Sequence, residues 1–188
     1  AETQEGITEW NASLAGNPRS WRLMLTPPND RDSDESRFDD PFGDDAPEEN
    51  PGDVSFRKLT LYRTRCQPQE LWTRDAIELN MLWREWKEET GRRDFCDLID
   101  LAADEPCPVD VRSLFVDEAQ DLSKLEMRLV RAWAAGADLL TIVGDSDQAI
   151  YTWRGADPHV MWTPPIEDKF VRVLGQSYRL PRSVQLYA

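Results

Sequence analysis

Four carboxylates stand in two clusters in the second half of this sequence. Asp117 and Glu118 end the run VRSLFVDE, Asp145 ends DLLTIVGD, and Asp147 lies two residues on. Like charges this close repel, so the pattern has a chemical purpose where a cation carrying a triphosphate lies among them. An Asp at the end of an apolar strand suits a hard cation such as Mg²⁺, held directly or through its water shell. The Glu beside it can orient or deprotonate an attacking water. Strands also end in acid simply because the chain is leaving the core, so the carboxylates alone leave both readings open.

The surrounding segments supply the elements that would position them. VRSLFVDE and DLLTIVGD are continuous apolar, β-rich runs and predict buried strands. Between them LSKLEMRLVRAWAAG places Leu122, Leu125, Leu129, Val130 and Trp133 on one helical face, with Gly136 closing it. KFVRVLG, residues 169–175, predicts a third strand. Strand, helix, strand, loop, strand is the grammar of a parallel sheet covered by helices. In such sheets chemistry collects at the carboxyl ends of the strands, where Asp117, Glu118 and Asp145 fall.

The front half reads differently. ITEWNASLAGNPRSW predicts a short helix and a turn, and FRKLTLYRTR fits a strand or the entry to a helix. QELWTRDAIELNMLWREWKEETG is the clearest helix, with Leu71, Ile77, Leu79, Leu82, Trp83 and Trp86 near helical spacing and Gly91 as a stop. DFCDLIDLAADEP predicts a short helix ending near Pro106. Residues 29–53 are rich in Asp, Glu, Pro and Gly, with Phe38 and Phe42 as the large apolar groups. Such a segment cannot bury enough to order itself and reads as a flexible loop or linker. Its alternative is an acidic docking tail for a protein partner.

The 188 residues suit one large domain, and the net charge of −14 argues against a generic nucleic-acid coat while allowing a local groove. No apolar run is long enough for a membrane span, and AETQEGITEW is too polar to be a signal peptide. Cys66, Cys96 and Cys107 lack metal-site spacing and read as reduced thiols in a cytosol. His159, beside Pro158, reads as a loop residue. The chain starts at Ala1 and stops within the helical pattern SVQLYA, so both ends read as cut.

Taken in order, VDEAQD, VGDSDQAIYTWRGAD and LGQSYRLP resemble the UvrD/Rep/PcrA family of superfamily 1 DNA helicases, and DFCDLI resembles the DFDDLL segment ahead of that family's DEAQD strand. The resemblance covers residues 94–186. It implies that residues 94–188 are the C-terminal part of a first RecA-like ATPase lobe, and that residues 1–93 belong to the helical insertion interrupting it. The implied fold class is α/β, a partial RecA-like parallel sheet with flanking helices, preceded by a mainly helical insertion with an acidic loop.

The resemblance also implies roles. Asp117 matches the Mg²⁺-associated acid, Glu118 the general base for ATP hydrolysis, and Gln148 the amide that senses the γ-phosphate. Tyr151, Trp153 and Arg154 match residues that meet single-stranded DNA, a role that suits aromatic faces and a stacking guanidinium; without the motif, Trp153 reads as core. Tyr178 and Arg179 match the residues that stack on adenine and reach the γ-phosphate, although Ser177 replaces the usual Asn and Leu180-Pro181 the common Ser-Thr. Gln120 and Asp121 are expected to tie the acidic loop to the Gln148 loop by hydrogen bonds.

No GxxxxGK[ST] occurs in the sequence. In the family that phosphate-cradling loop lies upstream, and the second lobe lies downstream. The resemblance thus implies an interior segment of a cytoplasmic, bacterial or viral ATP-dependent helicase acting in DNA repair or replication. Its ligands are ATP, Mg²⁺ and single-stranded DNA, and its partners are the missing lobes. Travel is implied to run 3′ to 5′, and the chain alone is expected to be inactive. The rival reading is a non-catalytic module that docks a partner through residues 29–53. A nuclease-coupled relative lacks a nuclease constellation here, and a different P-loop NTPase fails on the length of the GDSDQAIYTWRGAD match.

Overall fold

A computed structural model describes residues 3–17, 21–24 and 50–175. Tyr178 and Arg179, with most of the acidic stretch, lie outside the described residues.

The helices start and stop where side chains can satisfy their free backbone groups. In α1 (Gln4–Ser13) the Thr3 hydroxyl caps Gly6 N–H. In α2 (Pro51–Thr64) Asn50 caps the start, with proline in the first turn. FRKLTLYRTR therefore continues a helix already begun, and the strand reading falls. That start also orders residues 50–53, the end of the stretch expected to be a loop. In α3 (Arg74–Thr90) Thr73 caps the start and Gly91, at φ 67°, closes it in the left-handed conformation that glycine adopts freely. The short helix α4 (Phe95–Asp104) opens on a capping box of Asp94 and Asp97.

Trp10, Trp83, Trp86, Leu59 and Leu79 form the centre of the helical core. Trp10 meets Trp83 edge-to-face at 5.0 Å and Trp86 at 5.7 Å, a favoured arrangement of aromatic quadrupoles. Leu71 does not join this face: it sits in a short turn before α3 and is exposed.

Where α4 meets this core, four charged side chains interlock. Asp94 Oδ2 accepts from Arg63 Nη1 at 2.6 Å, Lys87 Nζ at 2.7 Å and Trp83 Nε1 at 2.8 Å. Asp97 accepts from Arg63 Nη2 and Lys87 Nζ as well. Burial by itself would raise the Asp94 carboxyl; the Arg63 guanidinium, with hydrogen bonds from Arg63 and Lys87, outweighs it and holds the group well below the usual carboxylate range.

The second half is a βαβ unit. Strands β1 (Ser113–Val116) and β2 (Leu139–Ile142) pair in parallel, Ser113 opposite Leu139 and Val116 opposite Ile142. The crossover is α5 (Lys124–Ala134), opened by a Ser123–Glu126 capping box. Trp133 Nε1 donates to the Ala102 carbonyl, locking α5 to α4. A smaller core of Ala119, Met127, Val160 and Met161 lies beneath the strand ends. The α/β class is as expected, with the sheet reduced to two strands among the described residues.

Two expectations about the sheet fail. Residues 169–175 form no strand; a short turn covers Asp168–Phe170, and Val173 and Leu174 are 88% and 87% exposed. β-Prone residues become a strand only when another strand accepts their hydrogen bonds, and none does so among the described residues. Nor are β1 and β2 buried on both sides, because Phe115 is 69% exposed and Leu139 is exposed too. A parallel strand is buried on both faces only where helices cover both, and here one face is open.

Candidate functional site

β1 ends at Val116, and the chain must turn at once to enter α5. It does so by placing Glu118 at φ 52°, ψ 40°, a left-handed conformation uncommon for a residue with a side chain. Such a conformation costs on the order of 1 kcal/mol and persists only when its surroundings impose it. They do: Val143 N–H donates to the Val116 carbonyl at 2.8 Å, and Ala119 N–H donates to the Val143 carbonyl at 2.9 Å. The turn is thereby stitched to the end of β2.

This stitching brings the two acidic clusters together. Asp117 Oδ1 accepts from Glu118 N–H at 2.9 Å. Glu118 Oε2 accepts from Gln120 Nε2 at 2.7 Å, and Gln120 Oε1 accepts from Asp145 N–H at 3.0 Å. Asp145 Oδ2 in turn accepts from Gln148 Nε2 at 2.6 Å, and its other oxygen caps Asp147 N–H. The carboxylates are interleaved with amide donors, which offsets their repulsion. Gln120 can point only one way, since a carboxylate only accepts and a backbone N–H only donates. It is buried, at 2% exposure, so both bonds are shielded from water. Gly144 makes room for it: a Cβ there would lie 2.8 Å from Gln120 Oε1.

The expected tie between the loops is thus made by Gln120. Asp121 does not contribute to it; its Oδ1 is buried without a hydrogen-bond partner. The structural weight of Gln120 had one sequence signal, its place between an acidic pair and Asp121. The left-handed Glu118 had none.

Tyr151, Trp153 and Arg154 lie on a turn directly after the Gln148 segment. Trp153 is 65% exposed, so the core reading of this residue fails. Arg154 holds its guanidinium 5.7 Å from the Tyr151 ring and 5.9 Å from the Trp153 ring. Gly155, at φ 105°, ends the turn, and a Cβ there would lie 2.4 Å from Thr64 Oγ1 of α2. Asp157 N–H donates to the Leu122 carbonyl, pinning the far side of the turn to the start of α5.

Among the described residues no three His, Cys, Asp or Glu side chains gather as a metal site. Asp117 nevertheless fits Mg²⁺, which takes one or two protein carboxylates and completes its shell with phosphate and water. His159 is an exposed loop residue, and all three cysteines are free.

The fold and site define an α/β protein whose hydrogen-bonded acidic strand ends are followed in the chain by an exposed aromatic turn. Residues 57–164, more than half the chain, match the model of the UvrD/REP helicase N-terminal domain, and the chain belongs to that family. It is 36% identical over 95 residues to the ATP-dependent DNA helicase srs2 of Schizosaccharomyces pombe, a match covering 48% of this chain and 11% of that protein. It is 32% identical over 130 residues to the ATP-dependent DNA helicase UvrD2 of Mycobacterium tuberculosis, covering 60% and 19%. It is 39% identical over 71 residues to the ATP-dependent DNA helicase Rep of Escherichia coli, covering 37% and 10%. The chain thus spans a tenth to a fifth of the length of these curated relatives. No solved structure matches it.

Proposed function

We propose that this chain is the part of an ATP-dependent DNA helicase or translocase that joins the hydrolytic acids to the single-strand contact. The observation that carries this reading is the unbroken path from Glu118 through Gln120 and Asp145 to Gln148, next to the exposed Tyr151–Trp153–Arg154 turn. Glu118 would orient and deprotonate the attacking water. Asp117 would hold Mg²⁺, which supplies charge neutralisation on the phosphates when bound. Gln148 would exchange its bond to Asp145 for one to the γ-phosphate, and the change would reach the aromatic turn three residues on. Tyr178 and Arg179 would contact nucleotide. Tyr151, Trp153 and Arg154 would stack on unpaired bases.

In this reading residues 1–93 are a helical insertion and residues 94–188 part of the first ATPase lobe, with further segments of a longer protein completing the site. No described helix is long and apolar enough to cross a membrane, and the three free thiols fit a reducing cytosol.

The test is ATP hydrolysis with and without single-stranded DNA, by this chain and by a longer protein containing it. The chain alone, with no phosphate-cradling Gly-Lys loop in its sequence, should show no turnover. The longer protein should show DNA-stimulated turnover that Glu118→Gln reduces about 10²- to 10⁴-fold. Undiminished turnover in that variant would remove the assignment of Glu118 as base.

A further inference from the structure

The last two turns of α2 carry an unassigned feature. An open hollow of about 250 Å³ is lined by Lys58, Leu61, Tyr62, Arg65, Gln67 and Thr73. It adjoins the aromatic turn: Arg65 Nη2 donates to the Thr152 carbonyl at 3.0 Å, and Leu61 and Thr64 pack against Gly155. Lys58 and Arg65 are seven residues apart on one helical face, about 10 Å along the axis.

The charge around this hollow runs against the rest of the molecule. The chain carries −14 overall, and many of its cations are spent on carboxylates: Arg63 and Lys87 on Asp94 and Asp97, Arg92 on Glu9, Arg128 on Asp100. Lys58, Arg65 and Arg154 form no such pair with any described residue. Lys58 on α2, Arg65 at its end and Arg154 on the turn that Arg65 holds are thus cations with no carboxylate partner among the described residues, on a strongly acidic protein. One face of Tyr62 is covered by Trp72, stacked 5.4 Å away at 11°, and Trp72 Nε1 is anchored to the Gln67 carbonyl at 2.8 Å. Beside it the lining supplies positive charge from Lys58 and Arg65 with the Thr73 hydroxyl and the Gln67 amide, chemistry that takes phosphate oxygens.

We propose that this hollow is a second contact for single-stranded DNA, in which Lys58 and Arg65 hold backbone phosphates of the strand whose bases meet Tyr151, Trp153 and Arg154. The inference rests on the reading of that turn as a single-strand contact, and adds to it a track along α2.

The experiment is fluorescence anisotropy of a labelled oligothymidylate with the 188-residue chain, titrated in salt, for the unmodified chain, Lys58→Gln, Lys58→Gln/Arg65→Gln and Trp153→Ala. Lys58 is exposed and pairs with no described carboxylate, so Lys58→Gln should leave the fold intact. Each lost phosphate contact should flatten the dependence of log K on log salt by ~0.7, and the double variant should bind about tenfold more weakly near 0.1 M salt. Trp153→Ala should weaken binding with the slope unchanged. If both α2 variants keep the affinity and slope of the unmodified chain while Trp153→Ala weakens, the hollow is not a contact and the turn reading stands. If the α2 variants weaken and Trp153→Ala does not, the turn reading falls and the hollow stands. No binding by the unmodified chain overturns both.

Discussion

Gln120 is the residue on which the candidate site turns. One buried amide joins Glu118 to the backbone of Asp145, and two glutamines with a carboxylate between them then connect a prospective base to a prospective phosphate sensor. The link depends on Gly144, because any side chain there would occupy the space of Gln120 Oε1 and of Met161 Cε, 2.9 Å away. Gly144→Ala should displace Gln120 and free the Asp145 amide. Hydrogen exchange at Asp145 should then accelerate at least about tenfold, corresponding to loss of a bond worth ~1.4 kcal/mol or more. Unchanged exchange would mean that Gln120 is not the group protecting that amide. Trp153→Ala belongs to the same scale: removal of one stacking ring should lower single-strand affinity by about 1–3 kcal/mol, read by anisotropy.

Between elements, the interlocked charges of Arg63, Lys87, Asp94 and Asp97 join α2, α3 and α4. Asp94→Asn leaves the buried Lys87 and half-buried Arg63 with only Asp97 to balance them and should cost about 3 kcal/mol in denaturant unfolding. Its pH dependence has a definite sign. The folded-state pKa of Asp94 is depressed, so its contribution is complete above the unfolded carboxylate value of about 3.9 and is lost as pH falls below it. Acid titration followed by tryptophan fluorescence, with Trp83 bonded to Asp94 as reporter, should show a loss below about pH 4 that Asp94→Asn lacks. The packing of α2 on the aromatic turn gives a second prediction. Gly155→Ala forces a Cβ into Thr64 at a positive φ and should destabilise the chain by about 2 kcal/mol or more, measured by thermal unfolding.

At the scale of the whole molecule, stability is unevenly distributed. The helical core buries Trp10, Trp21, Trp83 and Trp86, while the sheet has two strands among the described residues and an open face carrying Phe115 and Leu139. A two-stranded pairing has little independent stability. Hydrogen exchange should therefore find the α3 amides around Leu79 and Trp83 more protected than those of β1 and β2; greater protection in the strands would contradict this ordering. The open face and the exposed Val173 and Leu174 agree with a chain that spans a tenth to a fifth of its relatives.

What the sequence determined by itself was local. Glycine stops and helical spacing marked the helices because they act within a few residues. The acidic and aromatic motifs were legible because their chemistry needs particular residue types in a fixed order. Tertiary structure decided what depends on partners distant in sequence. It turned FRKLTLYRTR into the body of a helix, left residues 169–175 without a strand to pair with among the described residues, and placed Trp153 in water rather than in the core. It also made Asp94 the acceptor for three donors and Gln120 the bridge between two strand ends, since a hydrogen bond between residues 25 apart exists only once the sheet has brought them together.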